Sequence, residues 1–314
     1  EGDSWENLIN THQPIKDIHK QQPDDLHTII YTSGTTGVPK GVMHTSGNLM
    51  VSADTLTTLF ELPNNLRLFS YLPLAHVAER VLINAGVRLG GVIAFSESLE
   101  TFASDLEQTQ PQIFFAVPRI WTKFREKILE SIPQKKLNFL LSIPILNSVI
   151  KKKLKKKLGL KDAVFICSAA APIASSLVEW YRKLDITVYQ GYGMTEDCCV
   201  SHFNTVHDDK IGTVGKTLFN VKAKLSDVGE ICIKNDCLMK GYYKEPEITA
   251  SVFDSEGYLK TGDIGEFDHD GFLTITGRVK DQFKTDKGKY ISPSHIELIL
   301  SKNTDIEQIC VVGT

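Results

Sequence analysis

At 314 residues the chain exceeds the usual span of one hydrophobic core, so two compact units, or a large unit plus a piece of another, are expected. A composition of 42% hydrophobic and 23% charged residues is that of a folded soluble protein, and a net charge of −3 excludes a molecule that binds polyanions over its whole surface. No apolar run reaches the ~20 residues of a membrane span, and the six cysteines lack zinc-ligand spacing, which points to reduced thiols in a cytoplasmic protein.

Residues 1–25 are polar and read as a surface lead-in, and Glu1 is not an initiator methionine, so upstream residues are expected. A strand over His27–Tyr31 runs into a Gly/Ser/Thr loop. A strand at Leu68–Leu72 leads to a helix near Val77–Leu89 and a buried strand at Val92–Phe95. Gln112–Val117 then passes through Pro118 into a helix over Trp121–Glu130. Ala163–Cys167 precedes a helix whose start carries the capping box Ser176-x-x-Glu179, and Asp185–Tyr189 is the next strand. Strand, helix, strand at this spacing predicts an α/β fold on a parallel sheet built from crossover units. After about residue 211 the pattern changes to short strands at Lys222–Leu225, Glu230–Ile233, Gly265–Phe267 and Leu273–Thr276, with turn signals at Asp227–Gly229 and Asp270–Gly271. That predicts an antiparallel, barrel-like portion. A charged stretch beyond Arg278, a helix near Pro293–Ser301 and a strand near Ile309–Val312 read as the start of a small α+β domain.

Between Ser131 and Lys161 lie nine lysines and no acid, six of them in KKKLKKK at Lys151–Lys157. Three readings are open: a solvated helix face or loop, a surface drawn to anionic lipid, and nucleic acid. The last is disfavoured, because no aromatic residue interleaves with the lysines.

The run YTSGTTGVPKG, Tyr31 to Gly41, brings three glycines, hydroxyls and Lys40 into one loop after a strand. Glycines let a backbone approach phosphates, Thr and Ser hydroxyls donate, and Lys40 supplies charge. It is not a Walker A loop, since Pro39 stands five residues after Gly34, where that motif needs glycine. The run resembles the phosphate loop of adenylate-forming enzymes, a family that includes acyl-CoA synthetases, luciferases and peptide-synthetase adenylation domains. Further motifs of that family follow in order. SYLPLAHVAER (Ser70–Arg80) looks like its substrate-pocket segment, CSAAAPI (Cys167–Ile173) the segment beside adenine, and QGYGMTE (Gln190–Glu196) the adenine and magnesium motif. GYLKTGD (Gly257–Asp263) holds a ribose-binding aspartate, and TGRVKD (Thr276–Asp281) a second ribose contact and a hinge.

The resemblance implies an α/β large AMP-binding domain over residues 1–279, present only as its C-terminal part. Residues 280–314 then form the hinge and the beginning of a small C-terminal domain. Thr32, Ser33, Gly34, Thr35, Thr36, Gly37, Ala170, Ala171, Pro172, Gln190, Gly191, Tyr192, Gly193, Thr195, Asp263 and Arg278 are implied to bind nucleotide. The resemblance likewise implies that Lys40, Thr195, Glu196 and His76 carry the chemistry, that Lys280 is the hinge and that Gly288 lies on the coenzyme A path. A carboxylate at Glu196 would repel phosphates unless a cation intervened, which suits a Mg²⁺ ligand. Asp263 alone could be a turn carboxylate and Arg278 a surface ion pair; the resemblance makes both ribose ligands. His76 is either structural at a strand-to-helix junction or stands at the mouth of an acyl pocket. Arg80, Lys234-Asn235-Asp236 and Ala169-Ala170 depart from the family's usual residues; where a tryptophan gate can stand there is Arg80, and Ala169-Ala170 narrows the room beside adenine.

VPRIWTKF (Val117–Phe124), the Ala-Ala-Pro-Ile segment and KGKYISPSHIE (Lys287–Glu297) look most like long-chain fatty acid–CoA ligases. The implied reaction uses ATP and Mg²⁺ to convert a fatty acid to acyl-AMP, then coenzyme A to form acyl-CoA. A ligase that loads a carrier protein, a non-catalytic nucleotide binder and a membrane-surface adaptor are the alternatives. The family's adenylation lysine would lie beyond Thr314 and a large N-terminal portion before the phosphate loop, so weak adenylation is expected of this stretch alone. The expected location is cytoplasmic, with or without peripheral contact to anionic membrane through Lys151–Lys157.

Overall fold

A computed structural model describes residues 4–32, 39–284, 290–291, 293–300 and 309–312. Helix α1 (Trp5–Thr11) leads in, capped by the Ser4 hydroxyl. Strands β1 (Leu26–Thr32) and β2 (Lys40–Thr45) form an antiparallel hairpin with Thr32 opposite Lys40, so both ends of the expected phosphate loop are pinned together. Helix α2 (Ser46–Leu59) starts on a capping box between Thr45 and Asn48. Neither β2 nor α2 is foreseen from sequence: β2 hides inside the loop motif, and Ser and Thr dilute the apolar spacing of α2.

Strand β3 (Arg67–Ser70), helix α3 (Val77–Arg88) and strand β4 (Val92–Phe95) form a parallel crossover unit, Arg67 opposite Val92 and Ser70 opposite Phe95. Helix α4 (Phe102–Thr109) leads to β5 (Ile113–Ala116). Helices α5 (Pro118–Ser131), α6 (Gln134–Ser142) and α7 (Pro144–Lys157) follow, α5 and α7 each opening on proline, where a missing N–H costs nothing. Strand β6 (Phe165–Ser168), helix α8 (Ser175–Arg182) and β7 (Tyr189–Tyr192) complete a parallel β5-β6-β7 core. Every residue of β5 and β6 is buried, as parallel strands covered on both faces require. β8 (His202–Phe203) and β9 (Lys216–Thr217) extend this sheet antiparallel.

Strands β10 (Lys222–Leu225) and β11 (Glu230–Lys234) are followed by β12 (Gly241–Tyr242), which returns to pair with β2. Helix α9 (Pro246–Val252), β13 (Leu259–Phe267) and β14 (Leu273–Arg278) follow. The second sheet runs β10-β11-β13-β14, all antiparallel. β15 (Phe283–Lys284), β16 (Tyr290–Ile291) and α10 (Pro293–Leu300) end the described elements, α10 lying against β14. The structure is thus mixed α/β with parallel and antiparallel sheets, as expected, but among the described residues the antiparallel sheet is open and closes no barrel.

Three local expectations need correction. Helix α8 begins at Ser175 behind Ala174, with no side-chain cap, so Ser176 and Glu179 make no capping box. The strand expected from Asp185 begins only at Tyr189, because Asp185 takes φ +58° in the turn after α8; Ile186 and Val188 are buried without strand pairing. Over 309–312 there is no strand, and the Val311 N–H donates to Glu297 Oε1 instead.

Candidate active site

One cleft of ≈ 1490 Å³ receives every candidate residue within the described part of the chain. Ser33, Gly34, Thr35, Thr36, Gly37 and Gly288 lie outside the described residues. The hairpin supplies Thr32 and Lys40, and the chain after β6 supplies Ala170, Ala171 and Pro172. Gln190, Gly191, Tyr192, Gly193, Thr195 and Glu196 come from β7 and the turn beyond it. Asp263 comes from β13, Arg278 from the end of β14, and Lys280 from the tight turn Val279–Asp281 at the rim. Much of this wall stands at the carboxyl ends of the parallel strands, where crevices of open α/β sheets bind ligands.

The backbone here is unusual for stated reasons. Ala170 takes φ +70°, a left-handed conformation that disfavours any residue with a Cβ. A Cβ at Gly191 would sit 2.2 Å from the Phe203 ring, and one at Gly193 2.5 Å from the backbone of Cys199. In β13, Gly262 takes φ +77° where the register against β11 slips, so Asp263 is aimed by a bulge within a strand rather than by a turn.

Asp263 Oδ2 accepts from the Tyr192 hydroxyl at 2.8 Å, and its Oδ1 from Arg278 Nε at 3.1 Å. Burial raises the Asp263 pKa, and the bonds from Tyr192 and Arg278 offset that rise only in part. A carboxylate with about four lone-pair sites, two of them used, can still accept from a diol. Tyr192, expected among the nucleotide-binding residues, lines the cleft with its ring fixed by that bond.

Glu196 is 7% exposed, and its Oε1 accepts from the Tyr242 hydroxyl at 2.7 Å. The Lys40 ammonium lies 5.0 Å from the centroid of the Tyr242 ring. A single buried carboxylate beside the Thr195 hydroxyl is a hard-oxygen donor set. Among the described residues no three His, Cys, Asp or Glu converge on it. That set fits Mg²⁺, which is taken by one or two carboxylates together with substrate phosphates.

Sequence reasoning missed the groups that hold this turn in place. His44 of β2 is fully buried, and burial keeps its imidazole neutral; Nε2 donates to the Thr195 carbonyl at 2.7 Å, and Nδ1 lies 3.4 Å from Cys198 Sγ. Asp197 is also fully buried, its Oδ1 accepting from the N–H groups of Met194 and Cys199 at 2.8 and 2.9 Å. Those bonds support left-handed Cys198 and Cys199. The signals available were a lone histidine in an apolar strand and an acid after the Thr-Glu pair, and neither is distinctive.

His76 serves both readings left open for it. It caps α3, with Nδ1 accepting from the Ala78 N–H at 3.2 Å, and it lines the cleft; partial burial lowers its pKa. Arg80 is turned to the Leu74 carbonyl at 2.7 Å. The same cleft is also lined by apolar side chains, among them Leu56, Phe60, Val81, Ala85, Phe115 and Phe165. The lysine run falls on α7, where Lys152, Lys153, Lys156 and Lys157 are exposed around a buried Leu154, and Lys151 pairs with Asp185 at 2.9 Å. All six cysteines are free. Among the described residues no helix is long and apolar enough to cross a membrane.

Residues 2–243 match the model of a family described as AMP-binding enzyme. Fatty acyl-CoA synthetase B of Dictyostelium discoideum is 33% identical over 327 residues, covering 93% of this chain and 48% of that protein. Long chain acyl-CoA synthetase 5 of Arabidopsis thaliana is 32% identical over 99% of this chain and 53% of its own length. The chain therefore spans about half the length of these relatives. The structure of a Mycobacterium tuberculosis fatty acyl CoA synthetase superposes with a TM-score of 0.73 at 26% identity, over 99% of this chain and 59% of that one. The o-succinylbenzoate CoA synthetase of Bacillus subtilis, in complex with its acyl-adenylate intermediate, gives a TM-score of 0.78 at 25% identity, over 98% of this chain and 60% of that one.

Proposed function

The chain belongs to the AMP-binding enzyme family, and from that premise we propose that the whole protein is a long-chain fatty acid–CoA ligase. The observation that carries this is the continuity of one cleft, polar at Lys40, Thr195, Glu196, Asp263 and Arg278 and apolar at Leu56, Phe60, Val81, Ala85, Phe115 and Phe165. A fatty acid has the same two-part character.

In this reading Asp263 and Arg278 hold the ribose, and the 190–193 strand end and Ala170–Pro172 frame the adenine. Lys40 and the Thr195 hydroxyl meet the phosphates. A fatty carboxylate oxygen attacks the α-phosphorus and pyrophosphate leaves, giving a mixed anhydride; the thiol of coenzyme A then displaces AMP. Two anions must meet, so catalysis rests on charge neutralisation and positioning. Mg²⁺, held by Glu196, would supply part of that neutralisation. The neutral His76 imidazole at the mouth of the apolar arm suits orientation of the acyl carboxylate. Pyrophosphate release by the protein across a panel of carboxylates tests this: rates should rise from C8 toward C16, and a preference for acetate or an aromatic acid would overturn it.

Lys280 is proposed as the hinge between residues 1–279 and 280–314. Lys280→Pro fixes φ near −65° and should keep acyl-AMP formation while losing acyl-CoA formation; equal losses in single-turnover assays would remove the hinge. The exposed lysines of α7 support a cytoplasmic protein in peripheral contact with anionic lipid. Sedimentation with anionic vesicles should fall steeply with salt. Binding indifferent both to salt and to Lys→Glu changes across Lys151–Lys157 would exclude that contact.

A further inference from the structure

Tyr242 stands between the two opposite charges of the site. Its hydroxyl donates to Glu196 Oε1 at 2.7 Å, and its ring carries the Lys40 ammonium 5.0 Å from the centroid. The side chain is 5% exposed, and its backbone is held from both sides. Tyr242 pairs opposite Val42 in β2, the Tyr243 N–H donates to the Gly41 carbonyl at 2.7 Å, and the Met239 N–H donates to the Glu196 carbonyl at 2.7 Å. The short segment 239–243 thus joins the strand that ends the phosphate loop to the turn that carries the carboxylate.

A lysine and a glutamate lining one cleft would satisfy each other as an ion pair, and each would then be less available to a ligand. Among the described residues no ion pair links Lys40 to Glu196. The tyrosine separates them by offering each charge the end it prefers: an electron-rich ring face to the ammonium and a hydroxyl donor to the carboxylate. A hydrogen bond to one oxygen also fixes the carboxylate's orientation, as outer partners of metal ligands do.

We propose that Tyr242 is a positioning residue that holds Glu196 ready for the cation of a metal–nucleotide complex and keeps Lys40 off that carboxylate. The proposal rests on the reading of Glu196 as the magnesium ligand. The test is calorimetric binding of ATP over a magnesium titration, with the wild type, Tyr242→Phe, Tyr242→Leu, Glu196→Gln and the Tyr242→Phe/Glu196→Gln pair. Tyr242→Phe keeps the ring and loses the hydroxyl. It should raise the magnesium concentration for half-maximal ATP binding by about tenfold or more, at unchanged magnesium-free affinity. Tyr242→Leu also removes the ring, so Lys40 can turn to Glu196 and magnesium-free affinity should fall as well. In the pair, the tyrosine change should add nothing to the effect of Glu196→Gln, an outcome that a merely structural tyrosine would not give. If Glu196→Gln loses the magnesium dependence and Tyr242→Phe keeps that of the wild type, Tyr242 does not position the carboxylate, although the reading of Glu196 stands. If Glu196→Gln also binds like the wild type, both fail.

Discussion

The two halves of the cleft are built by opposite means. The polar half depends on particular residues in particular conformations: a left-handed Ala170, a bulge at Gly262, glycines pressed against Phe203 and Cys199, and carboxylates held by Tyr192, Tyr242 and Arg278. The apolar half is made of ordinary faces, Leu56 on α2, Val81 and Ala85 on α3, Ile113 and Phe115 on β5, and Phe165 on β6. Aligning charge demands fixed donors, whereas holding a hydrocarbon demands only space. Loss of a charged group from the first half should therefore affect every substrate alike, and changes to the second should act in proportion to chain length.

The largest effect is expected at Glu196. Glu196→Gln should lower pyrophosphate release by about 10²-fold or more, equally for every acyl chain, with the fold intact by circular dichroism. A loss that depended on chain length would break the division between the halves. Ala85→Leu should do the reverse. Ala85 is fully buried on α3 and lines the arm, so the added carbons take the room of roughly three methylenes. At ~0.8 kcal/mol per methylene that is roughly 2 kcal/mol, or about 30-fold against the longest chain, with short acids nearly untouched. Competition between C8 and C16 acids measures it, and a uniform loss would mean that Ala85 does not face the acyl chain.

The same contrast explains what was legible in the sequence. The polar half could be read almost whole, because Gly, Thr, Lys, Glu and Asp recur there at spacings that ordinary packing does not require. The apolar arm could not be read: Phe60 or Ile113 is indistinguishable by pattern from any core residue. Crossover units such as β3-α3-β4 were visible through their periodicity, and α2 was not, because Ser52 and Thr55 are buried in it. His44, Asp197 and Tyr242 were missed for another reason. His44 and Tyr242 work by touching residues far away in sequence (His44 reaches the carbonyl of Thr195, Tyr242 the carboxylate of Glu196), and no local pattern records that, while Asp197 holds the N–H groups of its own turn, where an acid is unremarkable.

A moderate effect is expected from His202, which lies opposite Tyr192 in β8 and is fully buried. Its ring nitrogens meet the Ser201 and Thr217 hydroxyls at 2.7 and 3.0 Å, and burial pushes its pKa down to about 3 from 6.5. Between those values the unfolded chain binds a proton that the folded chain refuses. The contribution is therefore complete above pH 6.5 and is lost as pH falls toward 3, at up to ~1.4 kcal/mol per unit. Urea unfolding at pH 7.5 and 5.5 should differ by about that much in the wild type, and the His202→Gln variant should lose this part of the pH dependence. An unchanged slope in the variant would place the proton elsewhere.

The smallest effect concerns Ala170, where the polar half accepts strain. At φ +70° its Cβ crowds the following carbonyl, at roughly 1–2 kcal/mol, whereas glycine takes this conformation freely. Glycine also has more freedom to lose on folding, by about 0.5–1 kcal/mol, so Ala170→Gly should stabilise the protein only slightly, by about 0.5–1 kcal/mol. The residue is exposed beside the cleft, so removing its methyl group leaves no cavity to offset the gain. Thermal unfolding measures the stability, and AMP affinity measures the function. If the alanine narrows the space beside the base, the glycine variant should bind AMP more weakly while melting higher, and a β-branched Ala170→Val should melt lower because its side chain cannot adopt this φ without greater strain. A glycine variant that melts lower would show that the left-handed turn is held by contacts to the Ala170 methyl group, and that this part of the polar wall is packed in the manner of the apolar arm.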